Sequence, residues 1–197
     1  MLKNRNMMLI ACVFMVGGAG RDGGVNQIYF APHLANDFGY SKLTIGILIT
    51  AISAGSILGP LVFGWLSDKF SRVRMLQASL ALSFAGTLWV AHLGPGEIML
   101  FISLLLYSAF TSSRGTQTQA IVADAAANED RDAAFSLYFL LGFLSQPFWV
   151  LVTGFLMDNA GFATALTLLS GTYIVGIFVL SFMKDERRPR VVEEIVE

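Results

Sequence analysis

The chain has 197 residues, of which 55% are hydrophobic and 14% charged, and its formal net charge is −1. Soluble domains carry about 25% charged residues, so water is excluded as the main solvent for this surface, and nucleic-acid binding is disfavoured by the lack of any basic stripe. Cys12 is the one cysteine and lies in an apolar run, which excludes an intramolecular disulfide or a thiolate metal site; it reads as a small packing residue.

A membrane-spanning helix needs about 20 mostly apolar residues, and six segments qualify: 7–33, 43–67, 73–93, 97–123, 133–157 and 161–183. All are expected to be helical. Backbone amides in hydrocarbon must be bonded within their own segment, and the alternating strands of a membrane barrel are missing. The first segment follows Lys3 and Arg5 and has the look of a secretory signal, but it continues past Arg21 and Asp22 to His33, too far for a signal's apolar core. Glycines 17, 18, 20, 23 and 24 crowd its middle. Glycine costs roughly 1 kcal/mol against alanine inside a helix, so close helix approach or a local break is expected there.

The connections are short and the only long hydrophilic segment is the tail 184–197, so residues 1–183 read as one six-helix transmembrane domain followed by a charged cytoplasmic tail. A cytoplasmic N-terminus places Lys3, Arg5, Lys69, Arg72, Arg74, Arg131, Lys184, Arg187, Arg188 and Arg190 on the inner side, against Lys42 alone outside. That asymmetry implies both termini in the cytoplasm of a cell (inner) membrane. Arg21 and Arg114 remain, and both fall within spans.

Arg21 and Asp22 lie about 14 residues into the first span, about 20 Å from its start at 1.5 Å per residue. Ionisable groups at that depth cost at least about 2.5 kcal/mol each and face a cavity or a partner. Arg21 is a candidate contact for an anionic solute group and Asp22 a candidate proton carrier; a structural network that fixes helix packing fits equally. Arg114 sits in the polar run Thr111 to Gln119, where Thr111, Arg114, Gln117 and Thr118 recur at helical spacing on one face. A guanidinium there suits a carboxylate or phosphate; the structural alternative is a gate pairing Arg114 with Asp68 or Asp124. In the fifth span Pro147 predicts a kink, and Gln146 and Trp149 are candidate cavity residues. His33 and His92 read as interfacial.

Between the second and third spans the chain reads Gly64-Trp-Leu-Ser-Asp68-Lys69-Phe-Ser-Arg72-Val-Arg74. This resembles the signature loop of the major facilitator superfamily: Gly, three residues, Asp, Arg or Lys, one residue, Gly, then two basic residues. Gly64, Asp68, Lys69 and Arg72 match, while Ser71 stands where the family prefers Gly and Val73 replaces the second base. Leu58-Gly59-Pro60, Ala123-Asp124 followed by Glu129-Asp130-Arg131, and the segment from Gly154 to Gly161 look like further features of the same family. The resemblance covers essentially the whole chain and implies an all-α membrane protein, a six-transmembrane-helix bundle forming half of a major facilitator fold. Arg21 followed by Tyr29, Pro32 and Gly39 looks more like the family's seventh and eighth helices, which favours the C-terminal half. Only Gly142 and Pro147 fit the Gly-Pro motif of the family's exporters, so export is not implied.

The resemblance implies secondary active transport of a small solute by alternating access, in a cavity completed by a second six-helix half or a second copy of this chain. In that setting Asp68 is expected to brace a gating loop with Gly64, Lys69, Arg72 and Arg131, accepting hydrogen bonds from a neighbouring helix N-terminus or from Arg131; a solvated loop carboxylate is the alternative. Arg21, Arg114, Gln117, Thr118 and Gln146 are the expected solute contacts, an organic anion the expected solute, and Asp22 the expected site of proton coupling. No cofactor or metal is expected. Two rivals are a membrane sensor or assembly subunit, and an intramembrane enzyme, for which Leu168-Leu-Ser170-Gly171 is the nearest serine motif and neither histidine is placed to serve it.

Overall fold

The computed structural model describes residues 5–16 and 25–183. Arg21, Asp22, the neighbouring glycines and the tail lie outside the described residues. The helices are α1 (Arg5–Val16), α2 (Val25–Asn36), α3 (Lys42–Lys69), α4 (Arg72–Ala91), α5 (Glu97–Ala125) and α6 (Arg131–Leu180), with a 3-10 turn at Asn128–Asp130.

Serines start two of these helices. The Ser41 hydroxyl accepts from the Thr44 amide at 3.2 Å and that of Ser71 from the Arg74 amide at 3.3 Å, each satisfying an amide that has no carbonyl partner at a helix N-terminus. Ser71 has φ −62° and ψ 124°, a conformation open to any residue. The glycine preferred by the family signature is therefore not needed here, and serine contributes a cap instead. Gly39, at φ 68°, closes the turn between α2 and α3, where the Tyr40 amide donates to the Leu34 carbonyl at 3.1 Å.

α6 is two antiparallel limbs rather than one rod. Gly161 adopts φ 79°, ψ 167°, a backbone that side chains with a Cβ rarely reach. Ala134, Tyr138, Tyr173 and Leu180 all pack in one apolar cluster with Leu76 and Leu80, whereas Met157, Phe162 and Leu166 pack at the other end with Phe30, Leu48 and Leu104. The chain therefore reverses at Gly161. Dihedrals stay helical through Pro147, and the break in this stretch falls at Gly161.

The surface reverses the usual rule for soluble proteins. Ile57, Leu61, Leu144, Leu151, Phe155 and Phe178 are all more than half exposed, while Ser79, Ser83, Thr87, Ser108, Ser113 and Gln117 are buried. Small polar residues inside and large apolar ones outside is the arrangement lipid solvation favours, because small residues let helices approach closely and hydroxyls bond across the seam. Gly55 and Gly59 take this furthest: a Cβ on either would collide with α5 backbone at Leu105 or Ala109. Four described helices, α3 to α6, are long and apolar enough to cross a membrane.

Candidate functional site

The second half of α5 carries the site. Arg114 lies 11 residues before the end of α5, roughly 16 Å along the axis, and is 8% exposed. Its Nε donates to the Thr111 carbonyl at 3.1 Å, and its guanidinium carbon sits 4.9 Å from the centroid of the Tyr173 ring, a cation–π contact that favours the charge in a low-dielectric setting. Beside it is a cavity of about 340 Å³ lined by Thr111, Arg114, Thr118 and Gln119 of α5, by Phe14 of α1, and by Tyr138 and Gln146 of α6 among others.

Of the expected solute contacts, Arg114, Thr118 and Gln146 meet at this cavity, and Arg21 lies outside the described residues. Gln117 does not line it. Its Nε2 donates to the Ser79 hydroxyl of α4 at 2.6 Å, and its Oε1 is buried without a partner among the described residues. Helical geometry explains the difference. At roughly 100° per residue, Thr111, Thr118 and Gln119 fall on one side of Arg114, at about +60°, +40° and +140°, whereas Gln117 falls at about −60° and Ser113 at about −100°. The polar run is thus more than one face: Ser113 and Gln117 meet Ser79, Ser112 meets Ser56 of α3, and Thr111, Arg114, Thr118 and Gln119 meet the cavity. Trp149 does not line the cavity either; its indole donates to the Met15 carbonyl at 2.7 Å and ties α6 to α1.

The cavity also gains residues that were not singled out. The Phe14 and Tyr138 rings stack with centroids 3.9 Å apart, and the Tyr138 hydroxyl lies 2.6 Å from that of Thr118. No sequence spacing links Phe14 with Tyr138. The available signal was chemical: a tyrosine in a membrane span needs a partner for its hydroxyl.

The basic loop forms a second assembly. Arg72 reaches the Asp124 carboxylate at 2.8 Å and the Ala120 carbonyl at 2.9 Å, both on α5, and lies 3.7 Å from Asp68 at the end of α3. One guanidinium thus joins three helices, as its planar set of donors allows. This corrects the gate that pairs Arg114 with Asp68 or Asp124, since both carboxylates pair with Arg72 and Asp124 is ten residues from Arg114, about 15 Å along α5. Lys69 lies 3.6 Å over the Trp65 ring. Val73, in place of the family's second base, is buried in the apolar cluster. At Gly64 an added Cβ would meet nothing within 4 Å, and Arg131 begins α6 on the surface.

A model of the Major Facilitator Superfamily matches residues 6–197. The chain belongs to this superfamily. It is 28% identical over 193 residues to the uncharacterized MFS-type transporter YddS of Bacillus subtilis, covering 93% of this chain and 43% of that protein, and 26% identical over 141 residues to dityrosine transporter 1 of Saccharomyces cerevisiae, covering 71% and 24%. Solved structures with the same fold include a bacterial homologue of the human drug peptide transporters PepT1 and PepT2, at TM-score 0.80 and 16% identity, covering 94% of this chain and 44% of that one. Another is the POT family transporter PepTSo, at TM-score 0.76 and 15% identity, covering 94% and 40%. The chain spans less than half the length of each of these superfamily relatives. It is an integral, multi-pass membrane protein with half of a major facilitator bundle, and its family is one of transporters, not enzymes. Ser170 is buried and its hydroxyl donates to the Thr167 carbonyl at 2.6 Å on its own helix.

Proposed function

We propose that this chain is one six-helix half, the C-terminal one, of a secondary transporter that moves a small organic anion by alternating access, with Arg114 as its charged contact. The observation that carries this reading is a guanidinium 8% exposed on the wall of a 340 Å³ cavity inside a membrane bundle. An arginine in the hydrocarbon region costs at least about 2.5 kcal/mol, and in a water-filled or solute-filled cavity that cost is offset by the groups it binds. Gln146 supplies a further hydrogen-bonding group on the same wall, where Thr118 contacts the Tyr138 hydroxyl. A second half, from the remainder of a longer protein or from a second copy of this chain, completes the cavity. Asp22 couples transport to protons, Arg21 is a second anion contact, and the Arg72 junction with Asp68 and Asp124 holds the loop end closed in one of the alternating states.

Proteoliposomes containing the chain, supplied with a panel of labelled organic anions with and without a pH gradient, test this directly. Saturable uptake is expected, abolished by Arg114→Ala, with Asp22→Asn removing the response to the gradient. Equilibrium binding of the anions to the folded chain is measured alongside. Binding indifferent to Arg114→Ala overturns the reading, and binding without flux in the complete assembly favours a sensor.

A further inference from the structure

Arg114 reaches the cavity from α5, but the ring set against its guanidinium comes from the second limb of α6. Tyr173 is 1% exposed and belongs to the apolar cluster that includes Val13 of α1 and Leu76 and Leu80 of α4. Gly176, about one turn further along the same limb, explains how the ring comes so far in. An added Cβ there would lie 3.2 Å from a Leu80 methyl carbon and 3.7 Å from Val13, so glycine lets the limb lie closer to α4 than a larger residue would unless Leu80 gave way. Residues three apart share a helix face, and Tyr173 is carried in with Gly176. Its ring centroid ends 4.9 Å from the Arg114 guanidinium carbon.

The contact complements the hydrogen bond that Arg114 makes within its own helix. The Thr111 carbonyl accepts from Nε at 3.1 Å, which fixes one N–H direction but leaves the planar guanidinium able to tilt about it. A ring against the central carbon opposes that tilt. The π face attracts a cation within about 6 Å of its centroid and carries no formal charge, so it holds the guanidinium without neutralising it. A carboxylate in the same place would compete with an anion in the cavity. The phenol takes no part in this hold, since the Tyr173 hydroxyl is buried with no hydrogen-bond partner among the described residues. Tyr173 does not itself line the cavity.

We infer that Tyr173 is a positioning residue for the solute site: from one layer behind the cavity wall, its ring sets the direction in which the Arg114 guanidinium is presented. The consequence for affinity rests on the reading of Arg114 as the solute contact. The consequence for the guanidinium itself is independent of any solute.

Both are measured on the purified full chain. In protein carrying isotope-labelled arginine, the Nε–Hε NMR signal of Arg114, assigned by its loss in Arg114→Lys, reports the ring, because a proton held near an aromatic ring is displaced by the ring current. Tyr173→Phe keeps the ring and removes a buried hydroxyl. Tyr173→Leu and Tyr173→Met remove the ring, the methionine filling more of its space should leucine lower the yield of folded protein. The signal is expected to stay near its wild-type position in Tyr173→Phe and to move in both aliphatic variants. Equilibrium binding of labelled acetate, lactate and succinate is measured on the same set. Each acid that wild type binds through Arg114 is expected to weaken about three- to tenfold in the aliphatic variants, within the range of a cation–π contact, and by a similar factor for each acid, because the group they share has moved. Tyr173→Phe keeps wild-type affinity.

An Arg114 signal unmoved in Tyr173→Leu and Tyr173→Met overturns the inference, and so does a signal that Tyr173→Phe moves as far as they do, which would assign the hold to the phenol. A signal that moves while affinities stay constant also overturns it, because the guanidinium then serves the solute equally well in either setting. Where acid binding is missing from the wild type or survives Arg114→Ala, the anion reading fails, and the Arg114 signal decides the role of Tyr173 by itself.

Discussion

α5 meets its neighbours in two different ways along its length. In the first half, up to Ser112, it lies against α3 with backbone almost touching backbone: a Cβ at Gly55 or Gly59 would collide with Leu105 or Ala109, and Ser56, Ser108 and Ser112 join hydroxyls at 2.8 and 3.0 Å across the seam. Farther along, Arg114, Gly115, Thr118 and Gln119 instead border a 340 Å³ cavity, which Thr111 also lines. The residue types are similar in both halves, small and polar, yet one half closes and the other stays open. The difference lies in the partner. Glycines on α3 let the helices meet, whereas α1 and α6 bring the longer side chains Phe14, Tyr138 and Gln146 to the cavity beside Arg114.

The closed half offers the largest effect. Gly59→Ala places a methyl on the Ala109 carbonyl and is expected to destabilise by about 3 kcal/mol, the upper part of the range for overpacking. In a chain of this length that corresponds to roughly 6–12 °C in the thermal midpoint of the detergent-solubilised protein. A midpoint that moves less than about 2 °C would mean that α3 can shift away freely, and the contrast between the two halves would collapse.

The Arg72 junction is the next test, because it decides whether the end of α5 is held independently of the cavity. Arg72→Ala strands the Asp124 carboxylate and removes a donor from the Ala120 carbonyl, and a loss of about 1–3 kcal/mol is expected. Arg72→Lys should recover only part of it, since a single ammonium cannot serve the carboxylate and the carbonyl with the same planar geometry. Solute binding measured on the folded fraction of Arg72→Ala should stay close to wild type. A parallel loss of binding would show that the junction and the cavity form one unit.

Much of this was legible in the amino-acid order, and the remainder was hidden for identifiable reasons. The helical membrane class follows from apolar runs long enough to span a bilayer, and the family from Gly64, Asp68, Lys69 and Arg72 in register. Arg114 was visible because a charge inside an apolar segment demands an explanation. Ser71 and Val73 were visible only as departures from a pattern, and the structure supplies their reasons, a helix cap and a buried apolar contact. The pairing of Phe14 with Tyr138 was not legible, because the packing of α1 on α6 brings them together. Gln117 was misplaced by treating i+3 and i+4 as one face. They flank Arg114 on opposite sides, Gln117 against Ser79 of α4 and Thr118 against Tyr138 of α6 at the cavity, and that distinction decides the role.

That distinction gives the smallest and sharpest prediction, in a pair of neighbouring substitutions. Gln117→Leu removes a buried Oε1 that has no partner among the described residues, together with a hydrogen bond to Ser79. These two changes oppose one another, so stability should move by less than about 1 kcal/mol, and the affinity for an organic anion should not change, because the side chain faces α4. Thr118→Val is nearly the same in volume but removes the hydroxyl that lies 2.6 Å from the Tyr138 hydroxyl on the cavity wall. Losing one hydrogen bond costs about 0.5–1.5 kcal/mol, and because Thr118 lines the cavity solute affinity should fall several-fold. Binding and unfolding measured on both variants give four numbers. If Gln117→Leu weakens binding as much as Thr118→Val, the two faces of α5 act as one surface and the cavity extends to α4; if only Thr118→Val does so, the arc from Arg114 to Gln119 is the solute-facing side of this helix.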